Sequence, residues 1–249
     1  MRVIRNAALV IIAVVSLMSV EPAGAADKPL AGKVIVVDPG HQLGNSNPRF
    51  AKQLAQVRFN GSIVKGCNTT GTATNAGFPE ATFTWRVANL LKPILESKGA
   101  KVIFTRSVNT YKAFGPCVWD RAAIANKANA DAMISIHADG ASPRSKGFFA
   151  IAPTKIKGWT TETYARDHAL AHAMLKGMKA AGGTPSNYIR DQLMVSGDQS
   201  TINFSKVPTT IVELGNMRNA QEASLMSSKA GQRAYAQHLA AGIERYFVG

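Results

Sequence analysis

The chain has 249 residues, 46% of them hydrophobic, so it is long enough to bury a substantial core and too apolar to be intrinsically disordered. Lys and Arg number 29 against 15 Asp and Glu, a formal charge of +14, which favours anionic partners and argues against acidic ones. Nucleic acid would satisfy such a charge, but the N-terminus argues against it, because it reads as an export signal.

Arg2 and Arg5 form a positive n-region, Ala7 to Val20 is an apolar run interrupted only by Ser16 and Ser19, and Ala23-Gly24-Ala25 is a small-x-small cleavage pattern. The run is about 14 residues, short of the roughly 20 that span a bilayer. We read residues 1–25 as a signal peptide and 26–249 as a single domain. That domain is expected outside the cytoplasm, secreted or periplasmic, with no membrane span once the signal is removed. An uncleaved anchor is the alternative. An anionic cell envelope accommodates both the charge and the export.

After the leader, KVIVVD (Lys33 to Asp38) is a β-branched run stopped by Pro39-Gly40, the pattern of a buried first strand. Gln42 to Gly77 is rich in Gly, Asn and Thr and reads as a long surface loop or a small insertion with local structure; loops this long are usually functional or disordered. Cys67 lies in it, and Cys117 is the only other cysteine. In an exported chain an even count points to a disulfide, with two free thiols as the alternative. Such a bridge would stabilise by about 4 kcal/mol in the chain-entropy model.

Pro79-Glu80 opens a helix running to about Lys98, with Gly99 as its stop. Lys101 to Arg106 is a second strand, Val118 to Asn129 a helix, and Asp131 to His137 a third strand. Gly147 to Ala152 is a further strand, and Thr160 to Ala181 a long amphipathic helix closed by Gly182-Gly183. Thr209 to Leu214 is the next strand, followed by helices over Ala220 to Ser227 and Ala230 to Phe247. Strands alternating with helices predict an α/β fold: a twisted, mostly parallel sheet with helices on both faces.

In such sheets functional groups gather past the carboxyl ends of the strands. His41 follows the first strand, His137 ends ISIH and Glu213 ends TTIVE. Glu80, in the first turn of its helix, can reach the same edge. Two His and one Glu form a donor set suited to catalytic zinc, which leaves the second Glu as a base. Each residue has a plainer reading: a loop His, a satisfied core His, a helix-dipole partner. Glu213 resists it most, since a carboxylate ending a buried strand needs a partner or is costly.

Three segments carry a resemblance: VVDPGH (Val36 to His41), ISIHAD (Ile134 to Asp139) and VELGN (Val212 to Asn216), with Thr105-Arg106, Asp120-Arg121, Asn219 and Glu222 at supporting positions. They resemble the signature blocks of the zinc-dependent N-acetylmuramoyl-L-alanine amidases of type 3, over residues 33 to 247. The resemblance implies zinc ligands His41, Glu80 and His137 and a catalytic Glu213. It implies hydrolysis of the amide joining N-acetylmuramic acid to L-Ala in peptidoglycan or its fragments; nothing in the sequence demands more than a monomer. A non-catalytic peptidoglycan-binding protein on the same fold and a zinc peptidase acting within stem peptides are the rivals. Where the family often has two glycines after the first His, this chain has Gln42-Leu43, and Asp139 stands where Asn is usual.

Other residues were weighed and set aside. His168 and His172 share a helix face without the Glu of a zincin, opposite the apolar stripe, and read as rim or solvent-facing. His238 reads as a surface residue. Trp85, Trp119 and Trp159 are packing residues first and sugar-stacking residues second. Arg106 and Arg121 read equally as structural ion-pair members or substrate contacts.

Overall fold

The structure, a computed structural model, describes residues 28–249; the leader and its cleavage site lie outside them. In chain order the elements are β1 (Val34–Pro39), α1 (Ala51–Leu54), β2 (Val57–Phe59), β3 (Val64–Gly66), α2 (Glu80–Ser97), β4 (Lys101–Phe104), α3 (Val118–Lys127), β5 (Ala132–Asp139), β6 (Phe149–Pro153), α4 (Tyr164–Ala180), β7 (Leu193–Ser196), α5 (Ser200–Asn203), β8 (Thr209–Asn216), α6 (Ala220–Ser227) and α7 (Lys229–Val248). No helix among the described residues is long and apolar enough to cross a membrane.

One sheet in the order β4-β1-β5-β8-β6-β7 forms the centre. β4, β1, β5 and β8 run parallel, β6 is antiparallel to β8, and β7 is parallel to β6. The inner strands β1, β5 and β8 are buried almost throughout, which is why they are near-continuous apolar runs rather than alternating ones. On one face lie α2, α4 and α7. The stripe Phe83, Val87, Leu91 and Leu95 of α2, spaced by four, meets Ile134 and Ile136 of β5 and Leu239 and Ile243 of α7 in the main core. On the other face α3 packs its Ala125 against Val36 and Met133.

The expected fold class holds, with one departure. Strand–helix alternation implied parallel crossovers, yet the link from β5 to β6 contains no helix. A parallel return needs a crossover of about a dozen residues or more, so β6 enters antiparallel, against β8. The stretch after His41 is the small insertion with local structure rather than a bare loop. It holds two 3-10 turns, α1 and the hairpin β2–β3, and Cys67 bonds Cys117 at the start of α3.

Candidate active site

The first strand delivers its chemistry through a tight exit. Gly40 donates its N–H to the carbonyl of Ile136, carrying the β1–β5 ladder past Pro39. A Cβ on residue 40 would lie 2.4 Å from the His137 ring and 2.7 Å from the Ile136 carbonyl oxygen, so only glycine allows this approach. His41 then adopts φ 59°, a left-handed conformation rare for a non-glycine residue. Arg121 holds it there by donating to the His41 carbonyl at 2.7 Å. Gly71, with φ 77°, passes so close that a Cβ would stand 2.7 Å from both Glu80 Oε2 and the His41 ring.

Beneath this exit lies a closed polar network. Asp38 accepts from Arg121 at 2.6 Å, from Ser135 at 2.6 Å and from Thr105. Burial alone would raise its carboxyl, but the Arg121 charge and these bonds hold it below the usual range. Arg106 donates to the carbonyls of Pro39 and Ala81 and to Gln42 Oε1. Both arginines are buried and spend their donors on the turn after β1 and the start of α2, which makes them structural.

Glu80, 3% exposed, begins α2 with its carboxylate turned to the sheet edge. Oε2 accepts from Thr72 N at 2.9 Å and Oε1 from Ala138 N at 3.1 Å. His41 Nε2 stands 3.2 Å from Oε2, and His137 Nδ1 3.0 Å from Oε1. Burial raises the Glu80 carboxyl; His41 and then His137 outweigh it and hold the group well below its ordinary value. One ligand atom from each of the three residues can be chosen so that all lie within 4.8 Å of one another.

The His41 ring tests whether a cation fits. Its Nδ1 lies 3.1 Å from the Thr69 carbonyl and 3.2 Å from the Thr69 hydroxyl, so Thr69 engages this nitrogen and leaves Nε2 to face Glu80. Nε2 stands 3.2 Å from a carboxylate oxygen, a contact that needs a proton or a metal ion between the two atoms, and imidazole plus carboxylate is a zinc-type donor set.

Glu213 faces this cluster from β8, in register with His137 of β5. Its Oε2 is buried and has no hydrogen-bond partner. Burial raises its carboxyl well above the usual range, and the carboxylates of Glu80 and Asp139 raise it further. His41, His137 and Glu213 border a cavity of about 310 Å³ with Ile151 and Ile211 as its apolar floor. Gly66, Asn68 and Thr69 form one wall, so the segment around Cys67 encloses the site rather than decorating it.

Asp139 accepts from the Tyr188 hydroxyl at 2.8 Å and from Gly140 N. Tyr188, Thr69 and Thr72 carry no signal in the sequence, because a hydroxyl or carbonyl from a distant loop leaves no local pattern. Those set aside lie elsewhere: His168 bonds the Pro153 carbonyl, His172 is exposed, and His238 is half-buried on α7. Trp119 is core, and Trp159 packs edge-on against Phe59 and Phe204.

Two imidazoles flanking a buried carboxylate, with an unpartnered carboxylate beside them at the edge of a mostly parallel sheet, supply the donor set and the acid–base group that hydrolysis of a carbonyl compound requires. The chain belongs to the N-acetylmuramoyl-L-alanine amidase family, whose model matches residues 35–245, and the expected enzyme class stands. It is 32% identical to an N-acetylmuramoyl-L-alanine amidase of Mycobacterium tuberculosis, over 92% of each chain. The crystal structure of the N-acetylmuramyl-L-alanine amidase Ami1 from Mycobacterium smegmatis superposes with a TM-score of 0.79 at 31% identity, covering 88% of this chain and 98% of that one. The apo Ami1 of Mycobacterium abscessus gives 0.79 at 35% identity, covering 87% and 99%.

Proposed function

We propose that this amidase works outside the cytoplasm as a zinc enzyme on peptidoglycan or its soluble fragments, with His41, Glu80 and His137 as zinc ligands and Glu213 as general base. The observation that carries the reading is the cluster of His41, Glu80 and His137, with one ligand atom from each within 4.8 Å of the others, facing Glu213 Oε2, which has no partner. Zinc held by the three residues supplies Lewis acidity, polarising the amide carbonyl and making water nucleophilic near neutral pH. Glu213 takes the proton of the attacking water at a carboxylate oxygen. The same carboxyl then returns the proton to the departing alanine nitrogen, a role that suits a group whose proton affinity is raised. Thr69 orients the His41 ring, and Thr72 and Ala138 fix the Glu80 carboxylate, so the ligands are pre-oriented. Ile151 and Ile211 offer the alanine methyl an apolar floor. The Cys67–Cys117 bridge accords with an oxidising compartment.

The test is elemental analysis of protein purified without chelator, beside His41→Ala. About one zinc per chain, lost in the variant together with turnover, is expected. Release of stem peptides bearing a free L-Ala amino terminus then identifies the bond. A folded protein that neither holds nor takes up zinc would sink the mechanism and leave a wall-binding protein on this fold. Cleavage inside the stem peptide would make it a peptidase.

A further inference from the structure

Away from the catalytic cavity, a groove of about 470 Å³ runs between α2 and α7. Arg86, Lys229 and Arg233 line it together with Trp85, and its lining includes no acidic residue. All three cations are exposed, and among the described residues none has a carboxylate within ion-pair distance, whereas Lys92 on the same helix pairs with Glu96. Arg86 lies instead over the Phe78 ring. The groove is also built rather than incidental. Gln232 on its floor is 3% exposed and donates to the Met226 carbonyl at 2.8 Å, and Asn89 donates to the Trp85 carbonyl at 2.7 Å. Arg106 and Phe104 brace Trp85 from behind.

Three unpaired cations beside an indole fit a ligand that is both anionic and saccharide-bearing: carboxylates meet the cations, and a sugar ring meets the aromatic surface. We infer that this groove is a docking site for peptidoglycan strands, separate from the bond being cut and holding the carboxylates of neighbouring stem peptides. The inference rests on the proposed peptidoglycan substrate. The groove shares a helix with the catalytic centre: Glu80 opens α2 beside His41 and His137, and Trp85 follows five residues later, about 8 Å along the axis and about 140° around it. The family model ends at residue 245 of this chain, so the strand-holding surface sits within the catalytic fold itself.

The experiment uses sacculi stripped of phosphate-bearing polymers, and the full domain carrying Glu213→Gln so that binding is read without turnover. Combined Arg86→Gln, Lys229→Gln and Arg233→Gln is expected to weaken co-sedimentation roughly tenfold at low salt, with the difference fading at high salt. With Glu213 intact, the same triple variant keeps its turnover of a soluble muropeptide, which also shows that it is folded. Arg233→Glu alone is expected to lose more retention than Arg233→Gln. The idea is overturned if the triple variant sediments like its parent. It is equally overturned if Arg144→Gln, Lys155→Gln and Lys157→Gln together cost as much, since net charge would then be responsible. Retention only by unstripped walls would assign the groove to a phosphate polymer instead. Soluble turnover by the unmodified enzyme tests the catalytic reading separately.

Discussion

Two carboxylates flank β5, one on each side, and they could hardly be treated more differently. Asp38, at the end of β1, is 1% exposed and has Arg121, Ser135 and Thr105 as donors. Glu213, on β8, keeps one oxygen buried without any donor and has two further carboxylates nearby. The first is a closed account of hydrogen bonds, and such a group serves the fold. The second is incomplete as the protein stands, which is where a reacting partner is missing.

The comparison breaks most visibly at Glu213. Glu213→Gln is expected to lower turnover by about 10²- to 10⁴-fold while leaving the melting temperature of the metal-free protein equal or higher. The sign follows from its raised carboxyl: a folded-state value above the unfolded one makes ionisation cost stability as pH rises past the ordinary value of 4.5. A clear drop in melting temperature would make Glu213 structural after all, and retained turnover would remove it from the mechanism.

Asp38→Asn should do the reverse. It leaves Arg121 buried without its counter-charge, a loss of about 3–5 kcal/mol in urea unfolding, with turnover per folded molecule changed far less. Because its folded value lies below the ordinary 3.8, the stability Asp38 provides is complete above that pH and disappears as pH falls through the folded value. The variant should therefore have a shallower acid limb in its stability–pH curve. A loss under about 1 kcal/mol would mean that the network is not what holds the turn.

Asp139→Asn is the mildest probe. The amide oxygen can still accept from Tyr188, but one of the charges raising Glu213 is gone. The limb of the pH–rate profile governed by Glu213 is expected to move to lower pH with kcat at its optimum nearly kept. An unmoved limb would show that Asp139 does not tune the base.

Much of this was legible from the residues. Inner strands and long helices declare themselves because burial on both faces, or a stripe at spacing four, constrains many positions together. The hairpin β2–β3 did not: its strands have three residues each, and Val57, Phe59 and Val64 are exposed, so no burial pattern marks them. β7 and α5, four residues each, are too short for a repeat to show, and α5 is buried at every position, so it has no polar face to mark it as a helix. At the site, the rule that a carboxylate ending a buried strand needs explaining pointed to Glu213. The identical rule applied to Asp38 would have predicted the buried network, since Arg121 and Thr105 were already in view and only their convergence was not. Backbone partners such as the Thr69 carbonyl and Thr72 N–H depend on loop conformation and leave no trace in residue identity.

The glycine before His41 has a last consequence. Its missing side chain sets how near the His137 ring can come to the β1 exit, so the spacing between the two imidazoles is governed by an empty volume that no substitution can refine. A library randomised at position 40 and selected for activity is expected to return a single residue, whereas Glu80 and Asp139 have chemical relatives to draw on. The most stringently specified position of the centre is thus one that contributes no functional group at all.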